Sequence, residues 1–255
     1  MKPGFHELRL GALVKALSAD GSTVVGHFRK EDGENAFRWT QRERLVDLGP
    51  SVAHDVSADG SVVVGESSNR ACRWRRDAVR EIVGTQRSSA SAVSHDGSVI
   101  ASIQDLRAVR WTTQGVQRLG WLQEHHEAAG AYGISGDGRV IVGTADAYDR
   151  TMKERASRWT GESGMVALSE GGGFPYFFSS SCATAASYDG RAIVRFVGDV
   201  GVSERGVWNQ PFRWKRGRLL RGSMRCLGYP TNIVKPGRSH ALLFRRTQEG
   251  GRIHE

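Results

Sequence analysis

The chain has 255 residues, of which 39% are hydrophobic and 25% charged, and a formal net charge of +9. It is long enough to bury a sizeable core in one or two domains, and no apolar run approaches the ~18 residues of a membrane span. Three cysteines, Cys72, Cys182 and Cys226, without CxxC or CxH spacing exclude a full disulfide framework and leave no zinc motif, so no metal or cofactor is read from the sequence.

In chain order, Phe5-His6-Glu7-Leu8-Arg9-Leu10-Gly11 matches the last strand of a unit whose other strands lie elsewhere (compare Gln117-Arg118-Leu119-Gly120). Met1-Lys2-Pro3-Gly4-Phe5 before it has no apolar h-region, so no signal peptide is read. A cytosolic protein, or a secretion signal lying outside this sequence, both stay open. Val14–Ala19 then alternates, and Asp20-Gly21 reads as a two-residue hairpin turn. Thr23-Val24-Val25 is a β-branched strand ending at Gly26. Ala36-Phe37-Arg38-Trp39-Thr40 alternates with period 2, and Leu45-Val46-Asp47-Leu48-Gly49 closes the unit. These are strands a, b, c and d.

The unit recurs. Ser-x-Asp-Gly stands at Asp20, Asp59, Asp96, Asp137 and Asp189, and Arg-Trp at Trp39, Trp74, Trp111, Trp159 and Trp214. Four strands and one Trp per 37–52 residues is the pattern of propeller blades. The sequence therefore predicts an all-β, single β-propeller over 1–255, with blades at 12–49, 50–84, 85–120, 121–168 and 169–228. Residues 229–255 together with 5–11 would form an incomplete sixth blade closed by both termini; five blades plus a tail is the alternative. In that last segment Ser239–Thr247 resembles a strand c, with Arg246 in place of the Trp, and Pro230 and Pro236 disfavour a central strand. A stacked β-solenoid competes, but its coils are shorter and lack a hairpin turn at each Asp-Gly. The five Trp residues are expected in the inter-blade core, and each neighbouring Arg is expected to reach a turn Asp of the next blade.

Ser-x-Asp-Gly-Ser-x-Val-Val-Gly, then Ala-Phe-Arg-Trp-Thr, then Leu-Gly, resembles the bacterial HAF repeat, and His240-Ala241-Leu242 is close to its name-giving tripeptide. The resemblance covers roughly residues 5–251. It implies a β-propeller-type repeat, extracellular or surface-associated, with no established activity. The chain departs from it in having no signal peptide and in its degenerate last unit.

In an antiparallel meander the a–b and c–d turns share one face, and the b–c and d–a connections share the other. All length variation falls on the second face: Gly65 to Ala71 spans 6 residues, but Gly143 to Ala156 spans 13. Trp121–Ala131, Thr144–Arg155, Ser169–Ala183 and Phe196–Gln210 are expected to crowd it in blades 3 to 5, where loops on a rigid scaffold carry function. The candidate ligand-binding residues there are Trp121, His125, His126, Tyr148, Asp149, Phe174 and Tyr176. Adjacent His125 and His126 point apart and lack a third ligand at suitable spacing, which argues against a metal. Gly171-Gly172-Gly173 precedes no Lys-Ser/Thr, which argues against a phosphate loop.

The expected function is a non-catalytic, monomeric binding protein for a protein or glycan ligand. The alternative is a carbohydrate-active enzyme using carboxylates of the same loops, Asp149 and Glu154 among them. Positive charge raises anionic partners as a class, but the Arg residues are spread through every repeat, which argues against nucleic acid.

Overall fold

The computed structural model describes residues 11–122, 129–147, 153–168, 179–199, 210–215 and 218–221, with side chains described at 11–122, 129–145, 154–168 and 181–194. The described residues form strands and turns, and no helix is long and apolar enough to cross a membrane. The strands make five four-stranded antiparallel sheets, each in the order a-b-c-d. Blade 1 holds β1 (Ala12–Leu17), β2 (Thr23–Lys30), β3 (Gly33–Thr40) and β4 (Arg44–Pro50). Blade 2 holds β5 (Val52–Val56), β6 (Val63–Ser67), β7 (Arg70–Trp74) and β8 (Arg80–Gln86). Blade 3 holds β9 (Ser88–Val93), β10 (Ile100–Gln104), β11 (Arg107–Thr112) and β12 (Gly115–Arg118). Blade 4 holds β13 (Ala129–Ile134), β14 (Ile141–Ala147), β15 (Lys153–Thr160) and β16 (Gly164–Ala167). Blade 5 holds β17 (Ser179–Ala186), β18 (Ala192–Asp199), β19 (Gln210–Lys215) and β20 (Arg218–Arg221).

Strands β1, β5, β9, β13 and β17 lie against one another from blade to blade, so strand a is the inner strand of each blade. The protein is a β-propeller. The closing blade expected from 229–255 and 5–11 lies outside the described residues.

The repeat phrases explain the blade. The apolar step of strand b pairs in register with Arg-Trp in all five blades: Val25 with Arg38 and Val24 with Trp39, Val64 with Arg73 and Val63 with Trp74, and Ile100, Ile141 and Ile193 with Trp111, Trp159 and Trp214. The Gly that follows has a different task. A Cβ on Gly26, Gly65 or Gly143 would lie 2.0, 1.9 or 1.8 Å from the carbonyl oxygen of Leu13, Val52 or Gly130 on strand a. Strand a carries a β-bulge there in all five blades, placing Lys15, His54, Ser91, Tyr132 and Thr184 outside the pairing.

Ser-x-Asp-Gly is wider than the two-residue hairpin the sequence suggested. Ser18 N–H donates to Thr23 O at 2.9 Å and Gly21 N–H donates to Ser18 O at 3.0 Å, which leaves a four-residue loop with Gly21 at φ +73°. Ser18 Oγ accepts from Thr23 N–H and donates to Asp20 Oδ1, and Asp20 Oδ1 also accepts from Ser22 N–H. The turns are also chained to one another. Ala19 N–H donates to Ala58 O, Ala58 N–H to His95 O, and His95 N–H to Gly136 O, at 2.9–3.0 Å.

Hydrophobic clusters fill the seams between successive blades. Val25, Ala36 and Leu48 of blade 1 pack with Ala53, Val63 and Trp74 of blade 2. Val64 and Ala71 meet Ala90, Val93 and Ile100 at the next seam. Ala101 and Leu119 then meet Ile141 and Trp159, and Val142 and Leu168 meet Ala183 and Ile193. Trp74 and Trp159 are buried, Trp39 and Trp111 are half-buried, and the Trp214 side chain lies outside the described residues.

The expected reach of Arg to a turn Asp does not occur at Arg38, Arg73 or Arg110. Arg38 donates to Arg76 O at 2.9 Å and pairs with Glu43. Arg73 makes a bidentate pair with Glu81 at 2.7 and 3.0 Å. Arg110 bonds Gln117 and lies over the Trp159 ring of blade 4. The physical reason is that each turn Asp is already engaged by the Ser and backbone N–H groups of its own turn.

Candidate functional site

The b–c turns and the starts of the following blades meet on one face. Ser51 N–H donates to Glu34 O, Ser88 N–H to Asn69 O and Ala129 N–H to Leu106 O, at 2.8–3.1 Å. All four loops expected from spacing are partly strand: Ala129–Ala131 open β13, Ser179–Ala183 open β17, Thr144–Ala147 continue β14 and Lys153–Arg155 open β15, with Asp146 and Glu154 as register partners. β18 likewise runs to Asp199. Pairing carries these strands beyond the β-branched core that marks them in sequence.

Of the candidate residues, Trp121 is described. His125, His126, Tyr148, Asp149, Phe174 and Tyr176 lie outside the described residues. Trp121 is 38% exposed, and the Arg107 guanidinium lies 5.3 Å from its ring centroid. Beside Arg107 is Leu106, 61% exposed and held at φ +63°, a backbone conformation that a bulky side chain rarely adopts. The turn is pinned at both ends, because Asp105 N–H donates to Arg87 O at 3.0 Å and Leu106 O accepts from Ala129 N–H. A cation and an aromatic ring are thus set together at the seam of blades 3 and 4, with the exposed Leu106 next to the cation in the chain. Sequence reasoning missed Leu106 and Arg107. The available signal was a two-residue turn, Asp105-Leu106, with Leu where Gly or Asn is usual.

The opposite face is less plain than the regular turns suggested. The second residue of Ser-x-Asp-Gly differs between blades, and Tyr188, 62% exposed, meets His95 edge-on with centroids 5.0 Å apart.

Electrostatics separate two kinds of carboxylate. Ser hydroxyls and the backbone N–H following the Gly hold Asp20, Asp96 and Asp189 below the usual range, and the Ser61 N–H leads in bringing Asp59 to about 2. Burial pushes Asp55 the other way, to about 6, although its carboxylate accepts the N–H groups of Val56 and Val93 at 2.9 Å. Among the described residues no three His, Cys, Asp or Glu side chains come together as a metal site.

No protein-family model matches the chain, and no curated protein matches it. Solved structures do. An assigned TolB of Agrobacterium tumefaciens aligns over 82% of this chain and 80% of its own, at 15% identity and a TM-score of 0.53. The oligogalacturonate lyase of Vibrio parahaemolyticus aligns over 81% of this chain and 63% of its own, at 9% identity and a TM-score of 0.54. The tricorn protease aligns over 82% of this chain but 23% of its own, at 12% identity and a TM-score of 0.51. The chain therefore spans less than two thirds of the lyase and about a quarter of the protease. At these identities the likeness is one of fold, and the fold shared is the β-propeller.

Proposed function

We propose that the protein is a non-catalytic binding propeller that takes a glycan or protein ligand on the b–c and d–a face of blades 3 to 5. The observation that carries this reading is the Leu106–Arg107–Trp121 group. An exposed Trp braced by a guanidinium offers a flat apolar surface with a polar edge, which suits the face of a sugar ring or an interface anchor. Leu106 is held in its strained turn by hydrogen bonds from both sides, an arrangement found at binding sites more often than in passive loops.

The test is a glycan array and a partner-capture assay with the intact protein, run alongside Trp121→Ala and, on the opposite face, Tyr188→Ala. Binding weakened at least tenfold by Trp121→Ala and unchanged by Tyr188→Ala supports the reading. Turnover on a panel of glycosidic substrates, lost in Glu154→Gln, overturns it in favour of a carbohydrate-active enzyme.

A further inference from the structure

The chain holds six Asp-Gly steps, at Asp20, Asp32, Asp59, Asp96, Asp137 and Asp189. Such a step favours one covalent change, because glycine has no side chain to hinder its own amide nitrogen. That nitrogen attacks Cγ of the protonated aspartic acid, the C–O bond breaks and water leaves, and a five-membered succinimide forms. Water then opens the ring. When the bond from the nitrogen to the former main-chain carbonyl breaks, the chain runs on through Cγ as isoaspartate, with a free α-carboxylate. The water lost is the water regained, so no other reactant is needed.

Five of the six steps are locked against this change. In every Ser-x-Asp-Gly copy the Gly N–H donates to the Ser carbonyl of its own turn at 2.9–3.0 Å. The Asp Oδ1 accepts the Ser hydroxyl at 2.5–2.8 Å. It also accepts the N–H two residues on, at 3.0 Å. Nucleophile and carboxyl are therefore each held by other partners. The same bonds keep Asp20, Asp59, Asp96 and Asp189 below the ordinary carboxylate range, so the protonated acid that loses water is scarce there.

Asp32 differs. It is exposed, and among the described residues its carboxyl makes no hydrogen bond or ion pair. Its turn differs too. The b–c turns of blades 2 and 3 hold both central residues, Ser68-Asn69 and Asp105-Leu106, at positive φ, the form that matches strand twist. In blade 1 Glu31 and Asp32 do not, and Gly33 turns the chain at φ +138°. The bond from the next blade lands on the second turn residue in blades 2 and 3, Asn69 and Leu106, but on Glu34 in blade 1. The Glu31-Asp32 tip thus overhangs its anchor, and nothing lies within 4 Å of where a Cβ on Gly33 would stand. We propose that Asp32-Gly33 is a site of isoaspartate formation, and that the fold confines this modification to it. The product belongs to the substrate class of isoaspartyl carboxyl methyltransferases. The site lies in blade 1 and stands independently of the Trp121 reading.

Ageing the intact protein in neutral buffer tests it, with isoaspartate read peptide by peptide from enzymatic carboxyl methylation and mass spectrometry. Conversion at Asp32 at least tenfold above each of the five repeat turns is expected, and Asp32→Glu should remove it. In the chain unfolded by urea all six steps should convert at similar rates, because the protection comes from the folded turns. Ser94→Ala, shown to be folded by circular dichroism, frees the Asp96 carboxyl and should raise conversion there severalfold. Equal conversion at all six steps of the folded protein, conversion mainly in a repeat turn, none at Asp32, the same bias in the unfolded chain, or no rise at Asp96 in Ser94→Ala would each overturn the proposal.

Discussion

Ser102 donates its hydroxyl to the carbonyl of Ser89 at 2.9 Å. In blade 2 the corresponding pair is Gly65 and Val52, where a Cβ would lie 1.9 Å from the carbonyl oxygen. The bulge of strand a thrusts a carbonyl at strand b, and two solutions are used: remove the side chain, or supply one that donates to the carbonyl.

That relation predicts a ranking. Gly65→Ala should destabilise the protein by about 1–3 kcal/mol through overpacking. Gly65→Ser should cost less, because its hydroxyl can engage the Val52 carbonyl as Ser102 engages Ser89. Urea unfolding of the three proteins checks the order, and Ala and Ser costing the same would refute it.

Arg110 and Trp159 join blades 3 and 4, with the guanidinium 4.7 Å from the ring centroid. Trp159 is 5% exposed and packs with Ala101, Ile141 and Leu119. Trp159→Ala should therefore cost about 3–5 kcal/mol. Arg110→Ala should cost about 1 kcal/mol, and a double-mutant cycle should return a coupling of about 0.5–2 kcal/mol between the two. A coupling of zero would show that the stacking contributes nothing.

Asp55 makes stability depend on pH in an unusual direction. Its native carboxyl titrates near 6, above the ordinary value of 3.8, so between those values the folded protein binds more protons than the unfolded chain. Stability attributable to this group is present below about pH 4, falls as pH rises through 4 to 6, and stays lost above. The span is on the order of 3 kcal/mol. The turn carboxylates act oppositely and at lower pH, because their native values are depressed. The difference in unfolding free energy between the natural protein and Asp55→Asn should therefore change across pH 4–6; parallel curves there would be the adverse result.

The outer face of β1 differs from its counterparts. Leu17 is 57% exposed, whereas Val56 and Val93 at the same place in blades 2 and 3 are each 6% exposed. Gly21 has nothing within 4 Å, whereas a Cβ on Gly60 would meet Thr23 Oγ1 of blade 1 at 2.2 Å. If residues 229–255 and 5–11 supply a closing blade, Leu17→Lys should destabilise the full chain by about 2 kcal/mol, from the transfer of one buried leucine. The same substitution should be neutral once 229–255 is deleted. Neutrality in both backgrounds would instead favour five blades plus a tail.

Much of the fold was legible in the residues. Asp20-Gly21 marks a turn, Val24-Val25 a buried strand, and Arg38-Trp39 its partner, because turn chemistry and period-2 alternation act locally. The assignment of b–c and d–a connections to one face also follows from meander geometry, and in the structure Trp121 lies beside Arg107, which follows a b–c turn. The partners of Arg73 and Arg110 were not legible, because they depend on which acceptors the turn Asp residues leave open. Nor were Leu106 and Arg107, which gain meaning only when the seam of blades 3 and 4 bonds Leu106 O to Ala129 N–H and sets Arg107 over Trp121.

By itself the sequence determined the repeat, the four strands of each blade, and the need for Gly after Asp. These are short-range matters of backbone dihedral, alternation and steric room. Tertiary structure alone decided where the inner strands bulge. The bulge that leaves Lys15, His54, Ser91, Tyr132 and Thr184 outside the pairing inserts one residue into a strand without breaking its composition, so no periodicity announces it. It becomes visible when strand a is paired against strand b.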